Sequence, residues 1–378
     1  MAKILVAGDY APRGRVENLI EAGKYNEVFD EVIPYTSQVD YSIVNLEAPV
    51  VESISARPIG KCGPSLNCNA KAIDAIKYAG FDLVTLANNH FYDYGEQGVR
   101  DTLKACTERG IEFVGGGVNI EQASKTFYKE IDGVNFAFIN CCENEFSIAT
   151  NDSGGANPIN PIQQFYVIKN ACENADYVVV IVHGGPEGYE YPTPRMKELY
   201  RYFVDSGADA VINHHQHCYS GYEIYKDKPI IYGLGNFCFN KPGAQDPKWY
   251  SGYMVMLNFD NSNITIKLIP YFQGFEQAGV RVMDESESKN FEDKLQRINV
   301  ATQDDNELSA RYNSFAESLS DMYLITLEPY TNKYLKVARL RHLLPSTLNK
   351  KRALHILNYM LCESHLERMR YVLKRLCR

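Results

Sequence analysis

Asp9, Glu47, Asn89, His183, His215 and His217 are the residues of this 378-residue chain whose types and placement could do chemistry. Each stands where a short apolar run stops. Gly8-Asp9 ends the run 3–8, Asn45-Leu46-Glu47 the run 41–45, and Ala87-Asn88-Asn89-His90 the run 82–86. His183-Gly184-Gly185 follows 176–182, and Asn213-His214-His215-Gln216-His217 follows 209–212. Two carboxylates, an amide and three imidazoles form a mixed oxygen and nitrogen set, which suits borderline divalent ions such as Mn, Fe or Zn. Glu47 could bridge two ions, and two ions ~3.5–4 Å apart would activate a water and clamp a phosphoryl oxygen. His215 and His217, at alternate positions around a bend, can face two adjacent ions. One cluster alone has a plainer account, because a Gly-Asp after a strand is usually a turn and a lone histidine there is usually hydrogen-bonded near the core. Five clusters at five strand ends, holding five of the eight histidines, make a metal site the better reading.

The elements that must position these residues alternate. Strand patterns at 3–8, 41–45, 82–86, 111–114, 134–140, 176–182, 209–212 and 229–233 are interleaved with helical patterns at 15–30, 69–79, 96–109, 158–174 and 193–206. This order predicts an α/β fold with largely buried strands. In such sheets sites gather outside the carboxyl ends of the strands, so the five clusters should converge. Gly110 and Gly207 follow two of the helices and suit a left-handed cap. Residues 253–257 and 264–269 read as an antiparallel pair joined by Asp260-Asn261-Ser262-Asn263. Beyond 283 the strand patterns stop. Residues 286–302 and 306–320 read as exposed helices, and 332–343, 347–361 and 364–377 as three more. The expected division is a site-bearing domain over 1–280 and a helical, basic extension over 281–378.

Composition sets bounds. Hydrophobic residues make up 45% and charged residues 23%, as in an ordinary globular protein that needs no disulfide to fold. The ten cysteines show no CxxC pair and read as free thiols in a reducing compartment. Met1-Ala2-Lys3 leads straight into an apolar strand too short for a signal peptide, and no apolar run nears the ~20 residues of a membrane span. A cytoplasmic location is therefore expected. The charge is uneven. Residues 331–378 hold twelve Lys or Arg against two Glu, a net +10, which leaves −18 on the rest of a chain of net −8. Leucines at roughly helical spacing accompany that charge. The segment is expected to pack on the acidic body or make homo-oligomer contacts, with peripheral membrane contact as the alternative. No nucleic-acid motif accompanies it, and no nucleic acid is expected as a partner.

Longer motifs carry a resemblance. Asn45-Leu46-Glu47, Leu86-Ala87-Asn88-Asn89-His90-Phe91-Tyr92-Asp93-Tyr94-Gly95, His183-Gly184-Gly185-Pro186-Glu187, His214-His215-Gln216-His217 and Tyr232-Gly233-Leu234-Gly235-Asn236-Phe237 stand in family order over about 3–240. They resemble the poly-γ-glutamate capsule-synthesis protein family, within the calcineurin-like metallophosphoesterase superfamily. The resemblance implies a four-layer αββα sandwich with two divalent metals at its edge, held by Asp9, Glu47, Asn89, His183, His215 and His217. It makes His90 the general acid. Asp93, three residues on, orients His90 or else caps the helix near Gly95. Asn45, Glu187, His214 and Asn236 fall on the substrate side. Three departures stand out. Ala11 replaces a histidine ligand, Gly184 an aromatic residue, and Asn213 and Gln216 a glycine and a proline, which would reshape the substrate side.

The implied activity is metal-dependent phosphoester hydrolysis in capsule, poly-γ-glutamate or surface-polysaccharide synthesis, on an anionic small-molecule or polymer substrate. A γ-glutamyl or amide hydrolase on the same centre is the alternative, and a non-catalytic assembly protein that binds an anionic polymer is the third reading. His90 beside Asn89 favours the first, since a binding module has little use for a general acid.

Overall fold

Strand Val134–Cys142 shows how this sequence builds layers. Phe136 and Phe138 face one apolar cluster while Ala137, Ile139 and Cys141 face another, so both faces are buried. Strand Ala2–Tyr10 does the same, with Ile4 and Val6 on one side and Leu5 and Ala7 on the other. Two such doubly covered sheets must stack, with helices outside them. The computed structural model has that arrangement. It describes residues 1–378 except 54, 241–245, 261–262, 275–277, 331, 362–364, 366–368, 370–372 and 374–378.

Among the described residues one sheet runs Val280–Val282, Asn263–Gln273, Ser251–Asp260, Ala2–Tyr10, Tyr41–Leu46, Leu83–Thr85, Glu112–Val114, with Asn236–Cys238 paired to Ala2–Tyr10. The other runs Tyr222–Tyr225, Lys228–Ile231, Ala210–His214, Tyr177–His183, Val134–Cys142, Phe127–Ile131. The site-bearing strands run parallel to one another within each sheet, while Ala2–Tyr10 is antiparallel to its other neighbour, Ser251–Asp260. A cluster containing Ile4, Val6, Ile43, Phe136, Phe138, Val179 and Ile181 joins the sheets. Helices Arg15–Glu21, Lys71–Tyr78 and Gly95–Arg109 cover the first sheet through Val16, Ile73, Ile76 and Val99. Helices Pro161–Asn174 and Pro194–Ser206 cover the second through Ile168, Tyr200 and Phe203. This is the four-layer αββα sandwich. Each fully buried aliphatic or aromatic side chain in it contributes about 1.5–3 kcal/mol.

Differences from the sequence expectations have local causes. The helix expected over 15–30 stops at Glu21 and resumes as Asn26–Phe29, because Gly23 at φ 73° breaks it. Strands Phe127–Ile131 and Tyr222–Tyr225 were not anticipated; both close hairpins through two-residue turns, Asp132-Gly133 and Lys226-Asp227, with positive φ at all four positions. Helix Glu285–Gln303 is not an exposed appendage. Its Phe291, Leu295 and Ile298 lie in the cluster between the sheets, although it follows the expected boundary at 280. The chain forms two compact units, Met1–Ser309 and Ala310–Arg378.

The second unit contains helices Ser320–Thr326, Lys333–Leu340 and Lys350–Leu361. Its loops are tied at buried Glu328, which accepts from the Thr347 backbone at 2.9 Å, Ser346 Oγ at 3.0 Å and Arg339 Nε at 3.0 Å. These donors, the Thr347 N–H foremost, hold the carboxyl down at about 2. The helix expected over 364–377, apart from residues 365, 369 and 373, and the turn residues Asn261 and Ser262 lie outside the described residues. The cysteines among the described residues are free thiols. No helix among them is long and apolar enough to cross a membrane.

Candidate metal centre

Asp9 reaches the site because its strand is pinned from behind. A Cβ on Gly8 would stand 1.9 Å from the Gly235 carbonyl oxygen, and Asp9 N–H donates to that same oxygen at 3.1 Å. Only glycine allows this approach, which brings Asn236 level with Asp9. Across the sandwich, Asn140 joins the two sheets: its Oδ1 accepts from Ala87 N–H at 2.7 Å and its Nδ2 donates to the Ile181 carbonyl at 3.0 Å. That clamp fixes the Asn89-His90 loop against the strand ending in His183. Gly115, at φ 87°, leaves the room, since a Cβ there would meet Asn140 Oδ1 at 2.0 Å.

All six expected ligands come together. Glu47, His183 and His215 each offer one donor atom within a 4.8 Å span, and so do Asp9, Glu47 and His217. Glu47 is common to both groups. Asn89 Oδ1 lies 3.1 Å from His183 Nε2, on the first group. A third group joins Glu187 to His215 and His217. Thus Glu187, expected on the substrate side, stands within ligand reach.

The residues present fit a divalent cation. Glu47 is fully buried, and neither carboxylate oxygen has a hydrogen-bond partner. A buried carboxylate left so is expensive unless something positive meets it. Burial pushes its pKa well above the ordinary carboxylate range, with Asp9 adding repulsion and His217 opposing. Burial would raise Asp9 as well, but the neighbouring His214 and His217 rings win and hold it well below. Burial and the neighbouring His217 take His215 down to about 4. Burial would lower His217 too, yet Glu47 and Asp9 outweigh it and take it up to about 9. His215 Nδ1 and His183 Nε2 face each other at 3.0 Å. Ring nitrogens crowded around a bare carboxylate are an arrangement for binding a cation. His215 and His217 hold φ values of 94° and 56°, strained for non-glycine residues and so enforced by their surroundings.

His90 sits at the edge of this group. Its Nδ1 lies 2.7 Å from Asp93 Oδ2, and its Nε2 is 4.0 Å from Glu47 Oε1. Asp93 thus meets the His90 ring directly. It also accepts from Leu66 N–H at 2.7 Å and pairs with buried Lys61, whose Nζ lies 3.1 Å from His90 Nδ1. Burial lowers the His90 pKa despite Asp93. Lys61 was missed. It lies in the stretch 51–68, which has no periodicity, and its partner is 32 residues away.

Other expectations change. Asn45 donates to Asp9 Oδ1 at 2.8 Å and accepts from Thr85 Oγ1 at 3.1 Å. Asn236 Oδ1 meets His217 Nδ1 at 2.9 Å, and its amide donates to the His217 and Trp249 carbonyls at 3.1 Å. Both are buried and hold ligands in place, which leaves no group for substrate. His214 is buried too, with Nδ1 3.4 Å from Asp9 Oδ1. The departures around the histidines also turn inward. Asn213 holds the Gly184 and Tyr232 carbonyls at 2.9 Å, and Gln216 holds the Tyr189 carbonyl at 2.7 Å. At Gly184 a Cβ would meet Glu143 Cγ at 2.7 Å, so Glu143 fills the space of the larger residue.

Ala11 is buried in the apolar cluster with Tyr10 and Phe237 and offers no donor to the Asp9 side. His217 is flanked there by Trp249 and Phe239, ring centroids 4.8 and 5.3 Å away. Of two ions, the one on Asp9, Glu47 and His217 is therefore expected to leave first on dialysis. His217→Ala should then cost less of the metal retained after dialysis than His183→Ala. Elemental analysis of the two dialysed variants checks this, and equal losses would remove the case for unequal sites.

Comparison with known proteins adds a family. The profile of the family described as "Bacterial capsule synthesis protein PGA_cap" matches residues 3–241. "Capsule biosynthesis protein CapA" of Bacillus anthracis is 34% identical over 244 residues, covering 62% of this chain and 59% of that protein. "PGA biosynthesis protein CapA" of Bacillus subtilis (strain 168) is 32% identical over 238 residues, covering 62% of each. The chain thus spans about 60% of the length of these relatives. A crystal structure of a hypothetical protein from Thermus thermophilus matches 75% of this chain and all of its own at 16% identity, with a TM-score of 0.45, too low to carry an argument. On the match over residues 3–241, the chain belongs to the PGA_cap family of bacterial capsule synthesis proteins.

Proposed function

We propose that this protein is a metal-dependent hydrolase of the phosphoesterase type, acting in the synthesis of a bacterial capsule, poly-γ-glutamate or related surface polymer. The observation that carries the reading is Glu47, buried without a hydrogen-bond partner between two groups of ligands. Divalent metal at such a site supplies Lewis-acid activation of water and offsets the charge of a phosphoryl group. Asp9, Glu47, His217, Asn89, His183 and His215 would hold it. His90 moves the proton: Asp93 takes up Nδ1, which leaves Nε2 as the nitrogen that serves the leaving oxygen. Lys61 and Asp93 are positioning residues that keep the ring at that angle. The names of the relatives, capsule and PGA biosynthesis proteins, support the polymer context.

The test incubates the Mn-, Fe- or Zn-loaded protein with phosphorylated sugars, nucleotides and lipid-linked phosphates, and separately with poly-γ-glutamate. Metal-dependent phosphate release supports the proposal. Glutamate release without phosphate release would transfer the site to amide hydrolysis. Bound metal with no turnover on any substrate would leave only a binding role.

A further inference from the structure

The second unit carries a surface that the proposed chemistry does not use. Between Glu328 and Glu363 the sequence contains no acidic residue and seven Lys or Arg. Lys333 and Lys336 lie a turn apart on helix Lys333–Leu340, and Lys350 and Lys351 open helix Lys350–Leu361. Among the described residues none of these four lysines has an ion pair. Large apolar side chains are exposed between them. Tyr334 is 82% and Leu343 73% exposed, and Leu335, Val337, Leu340, Leu354, Leu357 and Met360 are exposed as well. Leu354 and Leu357 are one turn apart, as are Tyr334 and Val337, so the apolar positions form stripes beside the charges.

Leucine, methionine and tyrosine at this exposure are costly in water, and an acid-free set of lysines repels a second copy of itself. A planar boundary that is apolar beneath and anionic above satisfies both. Long lysine stems and the tyrosine ring suit that boundary, with the charge kept at headgroup level. Nucleic acid answers the charge but leaves the leucines and Met360 in water. We infer that residues 333–361 form a docking surface for an anionic lipid bilayer, with the helices lying in the interface. The surface would hold the protein at a membrane, and the inference stands whether or not the catalytic reading holds.

The experiment is flotation of the full-length protein with phosphatidylcholine vesicles and with equimolar phosphatidylcholine–phosphatidylglycerol vesicles. Binding to the anionic vesicles should be about tenfold or more the stronger, and should fall as salt is raised. The variant Lys333→Glu/Lys336→Glu/Lys350→Glu/Lys351→Glu should lose the preference while keeping its circular dichroism and metal content. Leu354→Ser/Leu357→Ser should weaken binding at low salt with every charge in place. Equal binding to both vesicles overturns the inference, as does tighter binding of the same protein to an RNA oligonucleotide. A concentration-dependent dimer in sedimentation that the lysine variant abolishes, with no vesicle binding, would instead assign the surface to a second copy of the chain.

Discussion

Glu47→Gln should strip the protein of metal and at the same time raise the melting temperature of the metal-free chain. Both effects come from one fact: the buried carboxylate lies between two groups of ligands and has no hydrogen-bond partner. With metal bound, Glu47 would be the anion common to both groups of ligands, and a neutral amide cannot replace its charge. Affinity should fall by at least the ~100-fold upper end found for losing a partner that merely supports a ligand. Without metal, the carboxylate is a buried acid that must either ionise at a cost or take up a proton, and its raised pKa records that cost. The amide removes it. Elemental analysis and calorimetric titration read the first effect, and thermal unfolding in chelator reads the second. A variant that binds metal normally would end the role of Glu47 as a ligand. One that melts lower than the parent in chelator would show that its carboxylate is satisfied after all.

His90→Ala should do the reverse, leaving metal in place and removing turnover. Positioned general acids contribute about 10²–10⁴-fold. The His90 Nε2 lies 4.0 Å from Glu47, near enough to serve the same pocket. Metal content within error of the parent, with kcat down by that factor on the best substrate, is the expected pair of results. Asp93→Asn should give part of the loss, because it keeps the shape of the contact and removes the charge that orients the ring. A His90→Ala protein with parental kcat would remove His90 from the reaction.

The candidate ligands could be read in the sequence because each one follows an apolar run, and a strand buried on both faces consists of such a run. Asp9, Glu47, Asn89, His183 and the 213–217 cluster announce themselves that way, and the motif resemblance gave them an order. What holds them was less visible. Asn45 and Asn236 sit among the motif residues, so sequence placed them on the substrate side; only their partners, Asp9 and His217, reveal a supporting role. Asn140 and Lys61 lack even that clue, since their contacts are with residues far along the chain. Helix Glu285–Gln303 was misjudged because its buried stripe, Phe291, Leu295 and Ile298, is narrow and lies among many charges. The hairpin at Asp132-Gly133 was missed although Asp-Gly is a favoured pair for such turns, because residues 127–131 show no apolar run to mark a strand.

The division of the ligands between two sheets bears on how the protein is made. Asp9, Glu47 and Asn89 belong to the first sheet, and His183 and the 214–217 turn to the second. The His215 N–H that donates to Asp9 is 206 residues away along the chain. Contacts of such separation form late, after their intervening segments have ordered. On the ribosome, a nascent chain that has made only the strands Ala2–Tyr10, Tyr41–Leu46, Leu83–Thr85 and Glu112–Val114 owns two carboxylates and an amide of this group, which would be a weak site for a transition metal. Preference for the borderline ions would begin only when the histidines arrive, and would then belong to the finished protein and not to its early folding intermediates.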